Sequence, residues 1–222
     1  GDYAIAKSID EYQQMYQPYL PGEFREAGRP TRNTPLYGMF KEQGAIYGDT
    51  FGWERAKWFA SEGVAEQYGF RRSNWFATVG EECRAVREKV GLMDLSSFAK
   101  YEITGPHAKA LLDRLCANRI PETNGKIILT QMLTHLGGIE CEATVARLSA
   151  EHYYVLSGAV AELHDFDWLV QHIEPGEETH VANATDDIGV LALTGPNARD
   201  VLSQLTEDGL TNQDGFTWMT AR

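Results

Sequence analysis

The chain has 222 residues, 43% of them hydrophobic and 23% charged, with 21 Gly and 8 Pro. That is enough to bury a real core, and too balanced for wholesale disorder or a disulfide-stapled miniature. Its 32 Asp and Glu against 20 Lys and Arg leave a net charge of −12, which repels a phosphate backbone over any long surface and argues against nucleic-acid binding.

No apolar run approaches the roughly 18 residues of a membrane span. Gly1-Asp2-Tyr3 carries no leader pattern, so a soluble protein without membrane contact is expected, and a start without Met fits an internal piece of something longer. Cys83, Cys116 and Cys141 are widely spaced, with no CxxC and no Cys/His ladder, which predicts reduced thiols and no metal site.

In chain order, Ile5, Ile9, Tyr12, Met15 and Tyr16 mark a short amphipathic helix with Ser8 as a possible start, stopped by Pro18 and Pro21-Gly22. Residues 22–35 read as an irregular connection, and Leu36 to Tyr47 as one short helix. The large aromatics Phe51, Trp53, Trp58 and Phe59 need somewhere to bury. A boundary falls near residue 70, and beyond it come a helix over Glu81–Val90 and an extended stretch from Leu92 to Ile103. Between residues 126 and 157 lies a hairpin system: strands at Lys126–Leu133, Ile139–Leu148 and His152–Ser157, with a Gly137-Gly138 turn. Val160, Leu163, Phe166, Val170 and Ile173 keep helical spacing, and the pairs Glu177-Glu178 and Asp186-Asp187 look solvated.

The clearest internal signal is a repeat. Tyr101 to Leu115 reappears as Leu191 to Leu205, each copy running through Thr-Gly-Pro into Ala and a Leu-bearing face. In both, a strand ends at Thr, Gly turns, and Pro occupies the first helical turn, where its missing N–H costs nothing. Ala108, Leu111, Leu112 and Leu115 form one apolar face, and Ala198, Val201, Leu202 and Leu205 its counterpart. The expected class is α+β, with antiparallel sheets, packed helices and a pseudo-twofold repeat.

Period-2 geometry puts Ile139, Cys141, Ala143 and Val145 on one face and Glu140, Glu142 and Thr144 on the other. Antiparallel pairing across a turn near Ala150 then sets Thr144 opposite about Leu156, and Glu142 on the face of Tyr154 and Leu156. Two readings stay open for Glu142. One is a solvated strand face; the other is a cavity where one carboxylate meets a cationic nitrogen while Tyr154 and Leu156 pack on a flat ring. His164 and His172 are too far apart for a helical metal pair and read as surface or cap residues, and His107 as a helix-start residue. Asp94-Leu95-Ser96-Ser97-Phe98 either caps a turn or points Phe98 into the same cavity. No Ser/His/Asp site, Walker loop or GxGxxG is present, so this chain should not itself bind FAD or NAD through a Rossmann fingerprint.

Gly52-Trp53-Glu54-Arg55, Asn74-Trp75-Phe76, Asp94 to Lys100, Thr104-Gly105-Pro106, Ala117-Asn118, Met132-Leu133, Gly137-Gly138 and Leu163-His164-Asp165 resemble, in the same order, the C-terminal part of the dimethylglycine dehydrogenase and sarcosine dehydrogenase family. In that family a flavin domain holding FAD oxidises a small N-methyl amino acid. A domain similar to the glycine-cleavage T-protein (aminomethyltransferase) then passes the one-carbon unit to tetrahydrofolate, giving 5,10-methylenetetrahydrofolate.

The resemblance implies that residues 71–222 are the first half of a folate-binding domain and 1–70 the end of the segment joining it to the flavin half. The rest of the full-length enzyme would be this chain's partner, and the isolated chain is expected not to turn over. By the same resemblance Glu142 is the catalytic carboxylate, and Tyr154, Leu156, Leu129 and Phe98 line the folate cavity. Glu stands at position 142 where the T-protein has Asp, and Gly158 where it has Asn.

Two other readings share the fold. One is a tetrahydrofolate-dependent methyltransferase or demethylase, although residues 1–70 are superfluous to a stand-alone T-protein; the other is a non-catalytic folate-binding regulatory protein. The location implied by the family is bacterial cytoplasm or mitochondrial matrix.

Overall fold

The computed structural model describes residues 1–206 and 216–222, so the stretch 207–215 of the C-terminal part lies outside the described residues. The chain forms two compact units. One comprises Gly1–Asp94 with Leu191–Ala198, the other Leu95–Val190 with Arg199–Arg222. Residues 71–94, which the sequence groups with residues 95–222, pack within the first unit.

In the first unit, α1 (Asp2–Gln13) begins after Gly1, so Ser8 lies inside the helix, and its stripe of Ile5, Ile9 and Tyr12 is exposed. β1 (Arg32–Asn33) leads to α2 (Tyr37–Glu42), β2 (Ala45–Thr50) and β3 (Trp53–Phe59). These strands form a sheet of order β1-β3-β2. The single helix expected over Leu36–Tyr47 stops at Glu42 because Gly44, at φ 90°, turns the chain into β2. Trp53 and Trp58 are buried as their size demands, whereas Phe51 is exposed. Phe51 and Gly52 both take positive φ (54° and 82°) in the hairpin turn between β2 and β3, a geometry whose right-handed twist suits a tight antiparallel connection.

α3 (Phe76–Glu88) starts five residues ahead of the expected Glu81, since a single Gly80 weakens a helix without breaking it. β4 (Gly91–Asp94) pairs antiparallel with residues Leu191–Thr194. The stretch read as continuous from Leu92 to Ile103 is therefore two strands, separated by a turn in which Phe98 N–H donates to the Leu95 carbonyl at 3.0 Å.

The second unit is built on β5 (Ala99–Thr104), α4 (Ala108–Leu115), β6 (Ile127–Leu133), β7 (Ile139–Ser149), β8 (His152–Ser157), α5 (Glu162–Gln171) and β9 (His180–Asn183). Its sheet has the order β6-β7-β8-β5-β9 with every neighbour antiparallel. One sheet face carries Tyr101, Ile103, Cys141, Ala143, Val145, Tyr153 and Val155, all buried, and joins Leu111, Leu112 and Leu115 of α4 and Leu169 of α5 in one core. Ile139, expected to share that face, is 70% exposed. It sits beside the Gly137-Gly138 turn, past a bulge that shifts the β6–β7 register between Met132 and Leu133.

Both repeat copies form the same local unit. β5 ends at Gly105 with φ 116° before α4, and β10 (Leu191–Thr194) ends at Gly195 with φ 114° before α6 (Ala198–Ser203). A Cβ at Gly105 would stand 2.2 Å from the Glu178 carbonyl oxygen, and one at Gly195 2.7 Å from that of Lys89. Glycine is required at both positions, by close approach as well as by φ.

The helix faces differ. Ala108, Leu111, Leu112 and Leu115 are buried, but Leu202 is 36% and Leu205 78% exposed, because α6 ends at Ser203 and Leu205 lies past it. His107 precedes α4 without capping it; its Nδ1 instead accepts from Glu178 N–H at 3.0 Å. Glu177, read as solvated, is held in a two-bonded pair by Arg114 at 2.9 and 2.8 Å.

Candidate functional site

The sheet face opposite the core carries the residues singled out from the sequence. Pairing across it is Leu129↔Thr144, Thr144↔Leu156 and Leu156↔Lys100, one row through four strands. The next row along β7 pairs Gln131 with Glu142, and Gln131 Nε2 donates to Glu142 Oε2 at 3.3 Å. The hairpin closes at Ser149 and His152, a bulge between Arg147 and Ser149 shifts the pairing by one residue, and Thr144 then faces Leu156, as the count from a turn near Ala150 anticipates.

These rows form one wall of a cavity of about 480 Å³, within the range of small-molecule sites. Glu142, Leu156, Leu129 and Phe98 all line it, together with Gly158, Val160 and Asp165. Phe98 arrives from the turn before β5, and this turn is fixed by Val190 N–H donating to Ser96 Oγ at 3.0 Å. Leu129, at 51%, is one of the more exposed apolar walls. The space at Gly158 is open: a Cβ there meets only Val160 Cγ1 at 3.9 Å, so the missing side chain is not excluded by packing.

Tyr154 does not line this cavity. It lies one pleat further along β8, opposite Ala146 on one side and Glu102 on the other, half-buried. Its hydroxyl has no hydrogen-bond partner among the described residues. Burial, then the neighbouring Glu102 charge, pushes its phenol up to about 12, so it is a neutral donor at physiological pH.

Three acidic groups meet at this site rather than one. Glu140, which period-2 spacing puts on the strand face of Glu142, has a side chain only 19% exposed, and its Oε1 lies 2.8 Å from His164 Nε2. The other ring nitrogen, Nδ1, is 3.0 Å from Asp165 Oδ1. His164 itself is 54% exposed, but Asp165 is 2% exposed and lines the cavity. Beside Asp165 the Cys141 thiol is pushed up to about 12, by burial first and then by that carboxylate.

Sequence reasoning missed this cluster, although a signal for it existed. Glu162, Asp165 and Leu169 fall on the buried stripe of α5, so an acid occupies a core position. Lys100 was also passed over. It is fully buried opposite Leu156, with its ammonium donating to the Ser96 carbonyl at 2.6 Å. Among the described residues no group of three His, Cys, Asp or Glu is arranged to hold a metal ion, and no helix is long and apolar enough to cross a membrane.

Comparison with known proteins adds the family. The GCVT N-terminal domain model matches residues 36–222. The chain is 39% identical to rat (Rattus norvegicus) mitochondrial dimethylglycine dehydrogenase over 99% of its own length, but it spans only 26% of that protein. It is 32% identical, over 85% of its length and 46% of the relative's, to an aminomethyltransferase from Bacillus velezensis. It is also 32% identical, over 89% of its length and 23% of the relative's, to the mouse (Mus musculus) pyruvate dehydrogenase phosphatase regulatory subunit. Among solved structures, aminomethyltransferase T of the Bartonella henselae glycine cleavage system superposes with a TM-score of 0.66 at 22% identity, covering 86% of this chain and 46% of that one. At that identity the likeness concerns the fold.

Proposed function

Since the chain belongs to the GCVT N-terminal domain family, we propose that the second unit's cavity is the folate-binding, one-carbon-transfer site of a flavin- and tetrahydrofolate-dependent N-demethylating dehydrogenase. Its substrate is a small N-methyl amino acid, such as dimethylglycine or sarcosine, and its product 5,10-methylenetetrahydrofolate. The identity of 39% to dimethylglycine dehydrogenase across the whole chain favours this member of the family. The observation that carries the reading is that Glu142, Leu156, Leu129 and Phe98, from four separate segments, line one cavity.

Tetrahydrofolate, when bound, supplies the secondary amine nitrogens that accept the one-carbon unit. The cavity fits such a group: its walls are largely apolar, and a buried carboxylate oxygen, Asp165 Oδ2, lacks a partner among the described residues. Leu129, Leu156 and Phe98 supply faces for a flat ring. Glu142, oriented by the Gln131 amide, places negative charge where a nitrogen becomes cationic or loses its proton as carbon–nitrogen bonds form. FAD chemistry belongs, on this reading, to another part of the full-length enzyme, which is the chain's partner, in the mitochondrial matrix or the bacterial cytoplasm.

Glu142→Gln in the complete enzyme should keep the fold and lower one-carbon transfer to folate by about 10²-fold, the scale of a lost electrostatic or acid–base contribution. Equal activity would remove Glu142 from the mechanism.

A second reading is favoured by the likeness to the phosphatase regulatory subunit: a folate-binding regulatory protein without turnover. It predicts folate binding that is indifferent to Glu142→Gln, with no transfer by the full-length protein.

A further inference from the structure

The cavity's lining carries Glu140, Glu142 and Asp165 and, among the described residues, no Lys or Arg. Of the three acids, Asp165 is the one buried at the cavity wall, with a side chain 2% exposed. Its Oδ1 is taken by His164 Nδ1 at 3.0 Å, while its Oδ2 is buried without a hydrogen-bond partner among the described residues. A buried, unmatched carboxylate oxygen is costly, and the residue that carries it lines the cavity.

We propose that Asp165 is a second ligand-contacting carboxylate of this cavity, accepting a ring or amine N–H of the bound folate, with His164 and Glu140 as the positioning residues that hold it. The proposal rests on the folate reading of the cavity and adds to it a group on the wall formed by α5, separate from Glu142 on β7.

The geometry assigns each member a task. Asp165 stands in the first turn of α5, where the helix dipole favours negative charge. The His164 imidazole spans from Asp165 Oδ1 to Glu140 Oε1, 2.8 Å from its Nε2, so α5 and β7 are tied together beside the cavity that Asp165 lines. The charged groups against His164 are Asp165 on its own helix and Glu140 on β7, with Glu142 and Cys141 lining the cavity that Asp165 lines. All of them except the protonated thiol are acids. The Asp165 carboxylate first, then Glu140, holds the imidazole above its usual range.

Two measurements test this on the full chain with reduced tetrahydrofolate as the probe. In calorimetric titration, Asp165→Asn should weaken binding by about tenfold or more, because an amide that turns its oxygen to His164 presents NH₂ to the ligand; thermal melts confirm that the variant folds. In NMR titration of the wild type, the His164 midpoint should fall when the chain is saturated with tetrahydrofolate, as the ligand's N–H shares the carboxylate charge.

If Asp165→Asn binds like the wild type while Leu156→Ala has lost affinity, the cavity reading stands and the role of Asp165 is overturned. An unchanged His164 midpoint on a saturated protein overturns it as well, without relying on any variant. If the wild type does not bind, or Leu156→Ala binds unchanged, the cavity is not the folate site and the inference falls with that reading.

Discussion

Glu177 shows how far a single side chain can depart from what its neighbours in sequence suggest. In the string Glu174-Pro175-Gly176-Glu177-Glu178 it reads as solvated; in the fold it is the partner of Arg114, sixty-three residues earlier. Arg114, with Glu174 Oε1 also 3.6 Å from its Nε, holds the Glu177 carboxyl down at about 2. A carboxylate depressed on folding contributes stability above its unfolded value, about 4.3, and loses that contribution as pH falls through the folded value. Arg114→Ala should therefore lower the melting temperature at neutral pH, and the deficit against wild type should shrink steadily between pH ~4.3 and ~2. Thermal melts across that range check it; a deficit that persists unchanged at pH ~2 would assign the effect to lost packing of the guanidinium. The same blindness to distant partners hid Glu140, whose partner His164 lies on α5.

At the scale of elements, patterning was readable wherever one face is buried. Spacing placed Ala108, Leu111, Leu112 and Leu115 on one side of α4, and all four are buried. The corresponding pattern in the second copy leaves Leu202 and Leu205 exposed, since α6 is shorter and burial is a property of surroundings. Leu112→Ala should accordingly cost about 2–5 kcal/mol, and Leu202→Ala less than about 1 kcal/mol, measured by denaturant unfolding; similar costs would mean that the α6 face is packed in solution. Boundaries were less readable. Gly80 failed to delay α3, and α2 ended at Gly44 before the apolar pattern did. At Phe51 the hairpin turn imposes φ 54° on a bulky residue, and Phe51→Asn should stabilise the chain by about 1 kcal/mol by relieving that strain, as a rise in melting temperature.

For the whole molecule, the chain leaves its first unit at Asp94 and returns to it at Leu191 to pair β10 with β4, Leu193 facing Leu92. A boundary drawn from composition marks where the sequence changes character, whereas compact units are defined by contacts between segments about a hundred residues apart. Leu193→Pro removes a ladder donor from that pairing. Hydrogen exchange should then show faster exchange at Gly91–Asp94 while β5, β7 and β8 stay protected; uniform acceleration would show that both units unfold together.

Local information decided much by itself. The hairpin register of β7 and β8, the required glycines at 105 and 195, the apolar face of α4 and the placing of Glu142 with Leu156 all depend on periods of 2 and 3.6 and on turn chemistry within a few residues. Tertiary structure alone decided that Leu129 and Phe98 meet them at one cavity, that Tyr154 stops a pleat short of it, and that α5 brings Asp165, paired with His164, to its wall as a third acid. Those relations join side chains from separate segments. They are set by how the α5 helix packs on the sheet, and no period along a single strand encodes that distance.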